Sequence, residues 1–296
     1  MAGISIAASQ DAQTPTHTAW RALRQNRWGM VAVVFLAVMV LTAALAPLIA
    51  PHDPQAQNLL ERLAPPSWAG DSDHLLGTDH LGRDVFSRLV FGSRISLLVG
   101  VSAAMLAGVI GAVVGLLAGY YGGRLDWILM RLADVQLAFP SILLALAVVA
   151  FLGSGLWIVI VVLGLTGWVS YARVVRSEVV SLKTRDFVTE ARAIGVGNLT
   201  IIRRHLLPNV VAPLATIATL NVASAIVAES ALSFLGLGVP THIPTWGSML
   251  ADGQLYLGTS WWIAIFPGLA LMLTSLAINI TGDAIRDATD PKVYRR

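Results

Sequence analysis

Residues 186–209 read D-F-V-T-E-A-R-A-I-G-V-G-N-L-T-I-I-R-R-H-L-L-P-N, and what surrounds them decides the architecture. On either side lie apolar runs long enough to cross a bilayer. Seven of the chain's 20 Lys and Arg residues fall within 173–204. A large basic loop between spans is expected to face the cytoplasm. Phe187, Ala191 and Ile194 recur at helical spacing, with Asp186 placed to cap the helix they describe. Gly195 and Gly197 break that run with the left-handed geometry of a helix end. Asn198 then caps a second short helix carrying Leu199, Ile202 and Leu206 on its apolar side. Pro208 closes that helix or opens the next span. The product is a helix–turn–helix with two apolar ridges and no core of its own. It either rests on lipid headgroups or docks a soluble partner.

The whole composition agrees with a membrane setting. The 296 residues are 56% hydrophobic and only 12% charged, with a mean hydropathy of +0.71. A soluble domain carries about twice that share of charge. Cysteine is absent, which excludes disulfides and thiolate metal sites. The formal charge is only +3, and basic residues beside spans follow from topology, so the chain carries no nucleic-acid signal. Lipid is the surrounding partner.

Outward from the loop, the order of segments predicts an all-α integral membrane protein with six transmembrane helices and both ends inside. Residues 1–18 read as a disordered cytoplasmic tail. Residues 19–50 combine an interfacial anchor (Trp20, Leu23 and Trp28 among Arg21, Arg24 and Arg27) with an uncharged first span; a cleaved signal peptide is the rival reading. Residues 51–94 hold four Arg against six acidic residues and are placed outside. A transmembrane domain then occupies 95–283, with the cytoplasmic loop at 173–208 and a cytoplasmic tail at 284–296. Its first span, 95–123, carries Gly111, Gly115, Gly119 and Gly123 every four residues, a spacing that lets helices approach closely in lipid. Arg124, Asp126, Arg131 and Asp134 mark a return to the cytoplasm. The uncharged run 135–172 is too long for one span, and Gly153-Ser154-Gly155 divides it into a hairpin. The last two spans run over about 209–228 and 261–282, with a Gly- and Pro-broken external or re-entrant segment at 230–260.

Two places could hold chemistry. Asp79, His80 and Asp84, with Asp73 and His74 nearby, could form a metal or acid–base site. Their spacing fits no known ligand pattern, so the expectation is no metal and no catalytic residue. Asp there caps helix ends, and Arg83, Arg88 and Arg94 pair with carboxylates or lipid phosphates. Glu229 is the one ionisable residue inside a span, expected as a hydrogen-bonded structural, gate or pore residue. No Gly-Lys-Ser/Thr phosphate loop exists; neither Lys183 nor Lys292 follows Gly.

Several of these stretches resemble one family. The loop is similar to the EAA loop of ABC-transporter permeases, with Ala191, Gly195, Leu207 and Pro208 at matching positions. Thr189 stands where that motif has Glu, and Glu190 where it has the first Ala. Gly77, Thr78, Asp79, Gly82, Arg83, Asp84, Ser87, Arg88, Gly92, Arg94 and Ser96 closely resemble the segment preceding the core helices in dipeptide/oligopeptide/nickel-type permeases. So do Ala228-Glu229 with Leu232–Gly238, and Gly282-Asp283 with Arg286-Asp287 and Asp290-Pro291. The resemblance implies the second permease subunit of a binding-protein-dependent importer: a five-helix, MetI-like core plus one N-terminal helix. It implies a homologous second permease, two ATPase subunits that carry ATP and Mg, and an extracytoplasmic substrate-binding protein, with no cofactor in this chain. Asp186, Thr189, Glu190, Ala191, Gly195, Leu207 and Pro208 would then couple to the ATPase. The competing readings are an integral-membrane hydrolase using the external His/Asp residues and an ion-coupled secondary carrier.

Overall fold

A computed structural model describes residues 27–70 and 72–289. The N-terminal tail, Trp20, Leu23 and the Asp290-Pro291 pair lie outside the described residues. Within them, all regular structure is helical. In chain order these are α1 (Arg27–Ala44), α2 (Ala46–Ile49), α3 (Val85–Tyr121), α4 (Gly123–Leu137), α5 (Ser141–Leu152) and α6 (Leu156–Leu182). Then come α7 (Asp186–Ala193), α8 (Asn198–Ile201), α9 (Leu207–Phe234), α10 (Trp246–Gly253) and α11 (Trp262–Thr289).

Among the described residues, five stretches are long and apolar enough to cross a membrane: Arg27–Ala44, Val85–Tyr121, Leu156–Leu182, Asn198–Phe234 and Trp262–Asp287. The sixth expected span is different in kind. α5 has only 12 residues, about 18 Å of helix against a hydrocarbon core of about 30 Å. It meets α4 at 87° across a short break. The 135–172 run is therefore an unequal hairpin, a short α5 and a long α6 joined at Gly153.

Three helix boundaries differ from the sequence expectation, for electrostatic or packing reasons. α3 starts ten residues early, inside what reads as external loop, because Asp84 accepts from the Ser87 amide at 2.7 Å and caps it. Arg88 is 1% exposed on this first turn, compensated by Asp252 at 3.3 Å and Asp79 at 3.5 Å. α6 continues ten residues past the uncharged run because α4 neutralises its arginines: Arg173 pairs with Asp134 at 2.7 Å and Arg176 with Asp126 at 2.5 Å. α9 is continuous with α8 through a π-helical turn, Ile202–Leu206, so Pro208 opens the span instead of closing the loop.

α3 packs along α6 over much of its length and also contacts α9; α11 packs on α1, α9 and α10. The glycine ridge faces α6. A Cβ on Gly115 would stand 2.6 Å from the Ala172 carbonyl oxygen and 2.7 Å from Val175 Cβ. Gly111 lies as close to the Trp168 carbonyl, and Gly119 to Val179. Gly123, beyond the end of α3, has no neighbour within 4 Å, so the close approach ends at Gly119.

Candidate functional site

At one end of the bundle, α7 and α8 form a knob. Val188, Ala191, Ile201 and Leu206 are buried against Leu116, Tyr120, Val175, Val179, Leu182 and Val210 from α3, α6 and α9. The knob shares its core with the ends of three membrane helices. This corrects the expected ridges: Phe187 and Leu199 lie outside the core, and Ile194 is 81% exposed. On helices of eight and four residues, several apolar faces compete, and only the packing partners decide among them. Asp186 is the first helical residue and Arg185 occupies the cap position. Gly197 caps α8 with extended backbone, φ −65°, and Asn198 follows it inside the helix. Gly195 alone has the left-handed geometry, φ +81°. The outer surface carries Thr189 and Glu190. Thr189 donates its hydroxyl back to the Arg185 carbonyl at 3.2 Å, whereas no ion pair holds Glu190 among the described residues.

At the opposite end, a collar closes over the start of α3. Asp79 and Asp252 hold Arg83 at 2.6 and 2.9 Å, and the Trp262 indole donates to the Thr78 carbonyl at 3.1 Å. Gly77 (φ +78°) presses so closely on the Ala64 carbonyl and Trp262 that a side chain would collide. Arg94 takes no carboxylate among the described residues and lies over the Phe91 ring at 5.9 Å. Glu229 is fully buried on α9. It accepts from Ser233 at 2.7 Å and Ser230 at 3.4 Å, and reaches Ser96 of α3 at 3.5 Å. Ser96 in turn accepts from the Trp246 amide. Glu229 thus joins three elements inside the chain.

Between the two ends, a cleft of about 310 Å³ opens between α3, α6 and α9. Thr166, Ser170, Asn221 and Ser224 bring hydroxyl and amide groups to walls of Ala103, Ala107 and Ala228. The sequence reading missed these four. Uncharged hydroxyls and amides inside an apolar run do not interrupt a span, and only their convergence marks them.

The model of the binding-protein-dependent transport system inner membrane component family matches residues 111–295. A second, for the N-terminal TM domain of oligopeptide transport permease C, matches residues 14–66. The chain is 43% identical to a di/tripeptide transport system permease protein of Pseudomonas aeruginosa, covering 95% of this chain and 93% of that one. It is 42% identical to a dipeptide transport system permease protein of Bacillus subtilis, covering 95% and 87%. The chain belongs to the binding-protein-dependent transport permeases. Its fold agrees: a chain of the MetNI methionine ABC transporter superposes with a TM-score of 0.55 at 21% identity, covering 69% of this chain and 97% of that one.

As a permease of this family, the chain is a multi-pass inner-membrane subunit of an ABC importer. It is a transport subunit and not an enzyme. The hydrolase and carrier readings find no support. The long Asp- and Arg-rich segment before α3 is instead a structural collar, held by ion pairs that span up to 169 residues of sequence.

Proposed function

We propose that this permease forms half of the translocation pathway of an ATP-driven peptide importer. Relatives named for dipeptide and oligopeptide transport match it at 38–43% identity over 92–95% of its length, which supports peptides as the solute. Its partners are a homologous second permease, an extracytoplasmic binding protein, and two ATPase subunits that bind ATP and Mg. The side bearing the knob is cytoplasmic, and α1 begins and α11 ends on that side.

The knob carries the coupling. Its inner face is one packed unit with α3, α6 and α9, while Phe187, Ile194, Leu199 and Glu190 remain on the outside. An ATPase that grips the outer face would therefore move three membrane helices together. Asp186, Thr189, Glu190, Ala191 and Gly195 shape the gripped element, and Leu207 and Pro208 begin the span that transmits its motion. Gly111, Gly115 and Gly119 let α3 and α6 travel as one rigid pair. The cleft at Asn221 and Ser224 is this chain's share of the passage, and Glu229 braces its outer end.

Uptake of a radiolabelled dipeptide by vesicles containing the reconstituted complex tests this function. Import should require this chain, ATP and the binding protein. Undiminished uptake without the chain would refute it.

A further inference from the structure

Beside the collar, the chain leaving α2 folds back on the start of α3 and brings together four residues far apart in sequence. His74 Nδ1 lies 2.9 Å from Asp84 Oδ1, and His52 Nδ1 lies 3.8 Å from Asp84 Oδ2. One ligand atom from each of His52, His74 and Asp84 falls within 4.8 Å of the others. On the far side of the His74 ring, Nε2 lies 3.2 Å from Glu61 Oε2. His74 is 8% and Asp84 2% exposed, while the His52 side chain is 41% exposed and lines a cavity of about 940 Å³ with Asp53 and Arg94.

We propose that His52, His74 and Asp84 bind a divalent transition-metal cation, with Glu61 orienting His74 from behind. Two imidazoles and a carboxylate suit Zn²⁺ and its neighbours, which prefer nitrogen with oxygen as the third ligand. In a tetrahedral site with bonds of about 2.0–2.1 Å, ligand atoms stand about 3.3 Å apart. The 2.9 Å His74–Oδ1 pair must open by about half an ångström. The 3.8 Å separation of His52 is to the other oxygen, Oδ2, so a cation held on one carboxylate oxygen also requires the Asp84 carboxylate or the His52 ring to turn. A ligating histidine characteristically donates its other ring N–H to a carboxylate, which fixes the tautomer. Glu61 occupies that position. Charge points the same way: among the described residues, no Lys or Arg pairs with Glu61 or Asp84. The neighbouring group of Asp79, His80 and Asp252 differs, because Arg83 and Arg88 already neutralise its carboxylates. A cation at the first site would pin the segment after α2 to the capped end of α3, and the cavity at His52 would give it entry.

The test is calorimetric titration of Zn²⁺ into the metal-stripped full-length chain in nanodiscs, purified without a histidine tag. The chain has six His and no Cys, so background is low. One Zn²⁺ should bind per chain. His52→Ala should weaken it at least about tenfold, and Glu61→Gln by about 10–100-fold. His80→Ala should leave the affinity unchanged. His52 is the partly exposed ligand, so its variant folds even where His74→Ala does not. Absence of stoichiometric binding, leaving His74 as a protonated bridge between Asp84 and Glu61, would overturn the proposal. So would wild-type affinity in His52→Ala.

Discussion

Tyr120, near the end of α3, donates its hydroxyl to Asn198 Oδ1 at 2.7 Å, joining residues 78 apart in sequence. The same ring lies 5.0 Å beneath the Arg192 guanidinium of α7. One residue earlier, the Gly119 carbonyl accepts from Lys183 Nζ at 2.9 Å, satisfying a helix-end acceptor with the residue that follows α6. The membrane helix α3 is thereby fastened to both halves of the knob.

Tyr120→Phe keeps the ring and its packing but removes the hydroxyl. The loss should cost about 1 kcal/mol of local stability, leave the complex assembled, and lower binding-protein-stimulated ATP hydrolysis. In a double-mutant cycle with Asn198→Ala, the two effects should be non-additive. Additive losses would show that the bond transmits nothing.

Gly115→Leu places a branched side chain against the Ala172 carbonyl and Val175, where even a Cβ has no room. Insertion should stay normal, because Leu favours the membrane. Assembly, followed by co-purification of the partner subunits, should fail. A fully assembled, active variant would show that α3 and α6 need not touch there.

Glu190 and Thr189 are distinguished by what each already does. The Thr189 hydroxyl is used within its own helix, so Thr189→Ala should change ATPase affinity little. Glu190→Ala should weaken it about tenfold or more, the cost of a lost charged hydrogen bond. The reverse pattern in a pull-down titration would reassign the contact.

The sequence was most readable where a physical requirement leaves a strong local mark. Long uncharged runs announced five of the spans, and the Gly195 break located the end of the knob's first helix. Burial on short helices was not readable: Val188 and Ile201, not Phe187 and Leu199, face the core because α3 and α6 lie on that side. Charge misled at Arg88, Arg173 and Arg176, where a carboxylate from a distant segment lets the arginine remain in a helix. His52 and Glu61 escaped notice beside His74 for the same reason, since folding brings them together.

Topology has its own check. Cysteines at Ser154 and Thr200, both exposed, stand out in a chain that has none. An impermeant thiol reagent applied to intact cells should label Ser154→Cys and spare Thr200→Cys. Labelling of the second from outside would invert the knob and end its coupling role.

The coupling claim is tested most directly at Gly195. A Cβ there meets nothing within 4 Å, so substitution perturbs only the backbone, held at φ +81°. Asn tolerates that geometry better than Ala, and a β-branched residue tolerates it least. Dipeptide import and binding-protein-stimulated ATP hydrolysis should be measured together in Gly195→Asn, Gly195→Ala and Gly195→Val. Both activities should fall in that order, and Gly195→Val should lose them together while ATP still binds the partner subunit. Wild-type import and stimulation in Gly195→Val would contradict the account and leave the knob as an element resting on the membrane surface.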